Sequence, residues 1–336
     1  CKSFPDIVSF AFWCRMANIE SFASRWKVSN NRIGLGLVFH VAPSNVPINF
    51  AYSMVFGFLA GNAGVVRLAS RETEQCVLIV KTLNLLLAQK EYVSLQPALN
   101  LIRYEKADHI TEFWLQHSLG RVIWGGDATV AHIRSLRSHP RSREIAFVDR
   151  FSVSVVHAKS VMSASGTQLN ELCSGLFNDI FLMDQHACSS PQLMVWLGTE
   201  QDVYTAQARL WQLFQSYAKR KYLLAPIHAM DKHVELCREI IDCDNVAAVV
   251  IDTPLTRIQL SSLMIDQQRG YFGTLHEFSS GTLTALAQIV DPRFQSLTYF
   301  GFEQEQLREF VMSHRLTGID RVVPIGKALD MGFYWD

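Results

Sequence analysis

The chain has 336 residues, 49% hydrophobic and 18% charged, with 31 basic residues against 31 acidic ones and a formal net charge of zero. It is too apolar for a disordered chain and too charge-poor to gather nucleic acid or another polyphosphate by bulk attraction. At roughly 100–200 residues per domain, its length predicts two domains or one large α/β unit with a substantial core. Seven irregularly spaced cysteines with no signal peptide ahead of them argue against a disulfide framework and for a reducing compartment, hence the cytoplasm.

No Asp, Glu, Lys or Arg occurs between Arg32 and Arg67, a span long enough to cross a bilayer. Pro43, Ser44, Asn45, Pro47, Asn49 and Asn62 fall inside it, and each would break helix hydrogen bonds or carry a desolvation cost in lipid. The stretch therefore predicts no membrane span but a βαβ unit buried on both faces, because strands inside a parallel sheet are continuously apolar. Its parts are a strand at 34–41, a loop at 42–47, a helix at 48–60, a stop at Gly61-Asn62-Ala63-Gly64 and a strand at 65–69.

The alternation continues with a helix at 72–88, a strand at 99–104, a helix at 110–118 and a strand at 121–124, the pattern of an open parallel sheet with helices on both sides. Gly125-Gly126-Asp127-Ala128-Thr129 follows, then a helix at 130–136. A glycine pair at a helix N-terminus suits a phosphate, and it equally suits a plain chain reversal. Neither a G-x-G-x-x-G fingerprint nor a Walker A loop occurs. A second α/β region begins near residue 151, with strands at 152–157, 192–197 and 246–251 and helices at 167–176 and 205–217. The last two strands are apolar, which again suggests a mixed or parallel sheet.

Between them, Asp184-Gln185-His186-Ala187-Cys188-Ser189-Ser190-Pro191 sets a cysteine among small and polar residues. Cys76 and Cys173 lie in apolar periodic runs, as core thiols do, whereas Cys188 has the surroundings of a nucleophile; an inert buried thiol is the alternative. His228, His233, Cys237 and Cys243 include an i, i+4 pair but match no common zinc motif, so no metal is expected. Phe50, Tyr52, Met54, Phe56 and Phe58 suit either an acyl tunnel or ordinary core packing.

The runs His40-Val41-Ala42-Pro43-Ser44-Asn45-Val46-Pro47, Trp124-Gly125-Gly126-Asp127, Asp149-Arg150-Phe151-Ser152, Gln185-His186-Ala187-Cys188, Arg293-Phe294-Gln295 and Ile319-Asp320-Arg321-Val322-Val323-Pro324 occur in one order along the chain. In these the chain resembles the fatty acyl-CoA reductases of bacterial luminescence operons, the LuxC family, a branch of the aldehyde dehydrogenase superfamily. The resemblance extends from about residue 30 to the end, and the lack of Met at Cys1 suggests an incomplete or trimmed start.

It implies an aldehyde-dehydrogenase-like α/β fold, with a Rossmann-type cofactor domain over 1–150 and an α/β catalytic domain over 151–336. The thioester site would lie in the cleft between them. The implied reaction is NADPH-dependent reduction of an acyl-CoA to the aldehyde, with Cys188 as acyl acceptor and Asn45 as oxyanion donor; an Asx-turn beside two prolines is the alternative for Asn45. Arg67, followed by Ser70 and Arg71, would hold the 2′-phosphate unless Arg67 and Arg71 merely mark the solvent end of a strand. Gly125, Gly126 and Thr129 would receive the pyrophosphate, with Asp127 as helix cap, and Gln295 would sit near the nicotinamide ribose.

Relatives that hydrolyse their acyl-enzyme use a Glu in a Glu-Leu-Gly-Gly motif; the counterpart here is Phe147-Val148-Asp149-Arg150, which lacks it and so preserves the acyl-enzyme for a thiol. Asp149 and Glu144 are the remaining candidate bases, and His186, if its segment is extended, shares a face with Cys188. The resemblance also implies acyl-transferase and acyl-protein synthetase partners and a homo-oligomer. A CoA-acylating aldehyde dehydrogenase, an acyl-phosphate reductase and a non-catalytic partner subunit are the alternatives.

Overall fold

The computed structural model describes residues 4–25, 33–263 and 269–330. The chain divides into two compact units, Cys1–Asp149 and Arg150–Asp336.

The first unit opens with two helices, α1 (Pro5–Trp13) and α2 (Met16–Arg25). It continues through β1 (Leu37–Val41), α3 (Asn49–Leu59), β2 (Ala63–Arg67), α4 (Glu74–Leu87), β3 (Leu99–Ile102), α5 (Asp108–His117), β4 (Gly120–Trp124), α6 (Asp127–Ser135) and β5 (Arg143–Phe147). Among the described residues these strands form one parallel sheet in the order β3-β2-β1-β4-β5.

The charge-free stretch supplies the buried centre of this sheet. Phe39, Val41 and Val65 pack on one side with Leu115, Ile123, Val130 and Ile133. On the other, Val66 and Leu68 pack with Phe50, Ala51, Met54 and Cys76. The α3 helix has 11 residues, about 16 Å at 1.5 Å per residue and far short of a bilayer core. Among the described residues no helix is long and apolar enough to cross a membrane.

Ala63 and Gly64, read from sequence as part of a stop, are already strand, paired with Leu37 and Val38. The small residues serve His40, which is 1% exposed: a Cβ on Gly57 would come 3.2 Å from its imidazole, and one on Gly64 would touch it at 3.6 Å. The actual stop is Gly61-Asn62, where the Asn62 side chain accepts from Leu35 N at 2.6 Å and donates to Gly57 O at 3.0 Å.

The second unit comprises β6 (Phe151–His157), α7 (Ala158–Ser163), α8 (Gly166–Phe181), β7 (Pro191–Leu197), α9 (Glu200–Lys221) and α10 (Pro226–Asp242). It ends with β8 (Val246–Asp252), β9 (Leu255–Leu260), β10 (Thr274–Ser280), α11 (Thr284–Ala287), β11 (Phe294–Phe300), α12 (Gln304–Ser313) and β12 (Arg321–Pro324). The sheet order is β12-β11-β6-β7-β10-β9-β8, parallel except for β8. Both faces are covered, one around Trp196, Phe214 and Leu176, the other around Phe294, Leu297 and Leu193.

The strand expected at 246–251 is present and makes the sheet mixed. β8 is an antiparallel edge strand with Ala247, Ala248 and Ile251 exposed, because it returns as a hairpin with β9 and has no partner strand on its far side in the sheet. The expected helices at 167–176 and 205–217 extend to α8 and α9. A capping box between Ser165 and Gln168 starts α8, and Thr199 accepting from Asp202 N starts α9.

Candidate active site

Cys188 lies in the turn-rich segment between α8 and β7, at the N-terminal ends of the parallel strands β6, β7, β10 and β11. The segment is held against a second turn, 270–274, which leads into β10. Phe272 N donates to Asp184 O at 3.0 Å. Gln185, 1% exposed, uses its whole side chain on the same turn and on β7. Its Nε2 donates to Pro191 O at 2.9 Å and Thr274 O at 2.8 Å, and its Oε1 accepts from Gly273 N at 3.1 Å and Thr274 N at 3.0 Å.

From α10, Lys232 donates to Pro254 O, Phe272 O and Gly273 O, and burial pushes its pKa down to about 7. Tyr222 donates to Asp184. Gly273 is required twice over: its φ is +79°, and a Cβ there would lie 2.5 Å from the Phe181 ring.

Asp184, Gln185 and Phe272 also have positive φ, at 50°, 62° and 56°. Left-handed non-glycine residues cost of order 1–3 kcal/mol each and persist only where their surroundings enforce them. Apart from Arg315, all such residues described in this chain lie in these two facing turns. The strain is concentrated next to the thiol.

Cys188 itself is half-buried. Ser152, fully buried on β6, donates to Cys188 O at 2.9 Å and accepts from Ser296 N at 3.1 Å, so one hydroxyl ties the Cys188 backbone to β11. Burial pushes the thiol pKa up; the Arg269 charge, the Cys188 and Ser189 backbone N–H groups and the Gln295 side chain pull it down. At rest the sulfur is a thiol among groups arranged to receive its anion. The contrast with Cys173 is sharp: 1% exposed within the core, it is pushed up to about 11 by burial alone.

Gln295 apart, the residues assigned from sequence to the cofactor lie in the first unit, at the C-terminal ends of its strands. The order β3-β2-β1-β4-β5 reverses between β1 and β4, the kind of switch point at whose strand ends open α/β sheets bind ligands. The loop after β1 carries Asn45, exposed between Pro43 and the buried Val46 and Ile48. The turn after β4 carries Gly125 and Gly126. A Cβ on Gly125 would collide with the Thr129 side chain at 2.9 Å, whereas Gly126 faces open space. Gly126 is the N-cap of α6, with no side-chain cap; Asp127, expected to cap, is instead the first helical residue. At the end of β2, Arg67 lies over the Tyr104 ring at 4.7 Å, and its buried Nε has no hydrogen-bond partner among the described residues. Ser70 and Arg71 are exposed just beyond.

Other candidates have structural roles. Glu144 is gripped by Arg121 and Arg134, each at 2.7 Å, which accounts for it as an ion pair within the sheet edge. The 182–190 segment is turned rather than extended, and His186 stacks on Tyr271 at 4.6 Å, so the shared-face argument for it no longer holds. Phe50, Tyr52 and Met54 are buried, and Tyr52 and Phe56 pack on Trp13 of α1; this is core packing. His228 stacks on Phe272, and among the described residues no group of three or more His, Cys, Asp or Glu side chains is placed to hold a metal ion. Sequence reasoning missed the Gln185 clamp, the 270–274 turn and Ser152. Gly270-Tyr271-Phe272-Gly273, two glycines bracketing two aromatics, was the available signal for the turn.

A family model for acyl-CoA reductases of the LuxC type matches residues 11–222. The chain belongs to the LuxC acyl-CoA reductase family. Among solved structures, this LuxC-family chain is similar to aldehyde dehydrogenase 21 from Physcomitrella patens, at 14% identity over 89% of this chain and 62% of that one, with a TM-score of 0.63. It is similar also to 1-pyrroline-5-carboxylate dehydrogenase from Thermus thermophilus, at 14% identity over 87% and 58% and a TM-score of 0.59. A third is the glyceraldehyde-3-phosphate dehydrogenase GapN from Methanocaldococcus jannaschii in complex with NADP, at 14% over 90% and 66% and a TM-score of 0.62. The fold is that of the aldehyde dehydrogenases, and the chain spans about 62% and 58% of the length of the first two. No curated protein matches it.

Proposed function

We propose that this chain carries the catalytic and cofactor-binding units of an NADPH-dependent reductase that converts a long-chain fatty acyl-CoA to the fatty aldehyde through an acyl thioester on Cys188. The observation that carries the reading is the half-buried thiol, fixed beside two strained turns, in a chain of the acyl-CoA reductase family.

The first unit fits a dinucleotide. The uncapped N-terminus of α6 at Gly126 offers backbone N–H groups to a pyrophosphate, with Thr129 beside them. Arg67 has a buried donor without an acceptor, and with Ser70 it suits a 2′-phosphate. When bound, a reduced nicotinamide supplies the hydride.

The chain's own residues do the rest. Once deprotonated, Cys188 Sγ adds to the thioester carbonyl; the C–S bond to CoA breaks, the CoA sulfur takes the electron pair and a proton, and the acyl group remains on Sγ. The Asn45 side-chain amide and the Cys188 backbone N–H are the donors assigned to the intermediate's oxyanion. With Glu144 held by two arginines, it is not available to activate water against the thioester. A cytoplasmic homo-oligomer that works with acyl-transferase and acyl-protein synthetase partners and supplies aldehyde for luminescence belongs to the same proposal. The test is aldehyde formation, trapped as a hydrazone, from long-chain acyl-CoA and NADPH. Wild type should form it and Cys188→Ser should not; equal yields would refute the reading.

A further inference from the structure

Among the described residues, several buried polar side chains around the thiol have an atom without a hydrogen-bond partner, namely Ser190, Gln192, Ser296 and Gln295; Gln295 is the one of these whose side chain also acts on the Cys188 sulfur. It is 7% exposed, and its Oε1 has no hydrogen-bond partner among the described residues. Burying an unpaired amide oxygen destabilises a fold, and a Leu or Met would fill the space without that cost. The backbone around it is irregular too. Between Phe294 and Leu297, β11 gains one residue on β6, since Phe294 pairs with Phe151 and Leu297 with Val153. This bulge contains Gln295 and Ser296. On the other side of β6, β7 gains a residue between Pro191 and Leu193. Two bulges thus flank Ser152, and bulges re-aim side chains at functional sites.

The Ser152 hydroxyl, shared between Cys188 O and Ser296 N, brings the two bulged segments together. Asp320 N donates to Gln295 O at 2.8 Å and holds the bulge from β12's side. We propose that Gln295 is a positioning residue for the nucleophile, its side-chain amide N–H donating to Cys188 Sγ so that the sulfur is held in one direction of attack. This gives Gln295 a role at the thiol, beyond the place near the nicotinamide ribose expected from sequence. The hydrogen bond also accounts for its share in favouring the anionic sulfur. The inference rests on the reading of Cys188 as nucleophile.

The test is the pH profile of iodoacetamide alkylation at Cys188, followed by peptide mass spectrometry on the whole chain. Exposed Cys237 is the internal rate standard, and slow labelling of buried Cys173 reports an intact core. Gln295→Met, which keeps the size but removes the donor, should move the Cys188 midpoint to higher pH and slow its alkylation at neutral pH by roughly tenfold, one pKa unit. Gln295→Glu should move it further. Cys237 should be unaffected. An unchanged Cys188 midpoint in Gln295→Met overturns the proposal. If that variant exposes Cys173, the Gln295→Glu profile decides by the same criterion. Failure of the nucleophile reading would appear separately, as absence of acyl transfer from acyl-CoA to wild-type Cys188.

Discussion

Gln185→Ala is the substitution most exposed to error. The side chain makes four hydrogen bonds, to Pro191 O, Thr274 O, Gly273 N and Thr274 N, in a place only 1% exposed. At a net value of about 1 kcal/mol per bond, their loss should destabilise the second unit by about 4 kcal/mol, a large part of a typical domain's stability. Alanine also leaves position 185 in the left-handed region with nothing to hold it there. Hydrogen exchange should show faster opening in peptides covering 182–190 and 270–274, and urea unfolding should shift to match. Gln185→Glu should be at least as damaging, because it sets a carboxylate oxygen against two carbonyls. A loss under about 1 kcal/mol, with 270–274 still protected, would refute the clamp.

The two units should respond to pH in opposite senses. Asp179 is buried, accepts from Gly326 N and Ala328 N, and has its pKa pushed up from 3.8 to about 7, chiefly by burial. Between pH 4 and 7 only the unfolded state ionises, so the second unit should lose stability as pH rises, by about 4 kcal/mol at most. Asp179→Asn should flatten that slope in a series of urea titrations. In the first unit, burial pushes His40 down to about 4, so its contribution is present above pH 6.5 and lost as pH falls toward 4. Hydrogen exchange of β1 at pH 7 and pH 5 should show the loss. For the cofactor, Arg67→Ala should weaken NADPH binding in fluorescence titration by roughly tenfold or more while leaving NADH nearly unchanged; equal losses would remove Arg67 from the 2′-phosphate.

The centre of each sheet was legible because strands buried on both faces cannot alternate: 37–41, 63–67 and 191–197 are apolar throughout or nearly so. The strand β10 was not, since it buries His276 and Glu277, whose partners Glu239, Arg257, Trp196, Trp211 and Gln207 come from distant elements. Hydropathy hides a strand whose polar groups are satisfied only in three dimensions. Gly64 misled for a related reason: its small size answers to His40, 24 residues earlier in the chain, and not to a local turn. The chemical context of Cys188 was visible in its small and polar neighbours. The contributions of Gln185 and Gln295 were not, because one depends on a turn some 88 residues away and the other on a one-residue slip between β6 and β11.

The central claim is a covalent acyl group on Cys188. Wild-type protein mixed with a long-chain acyl-CoA, without reduced cofactor, should gain the mass of one acyl chain less a proton. Peptide mapping should place it at Cys188, and NADPH should discharge it. An adduct that persists in Cys188→Ala, or maps to Cys237 or another cysteine, would contradict the account.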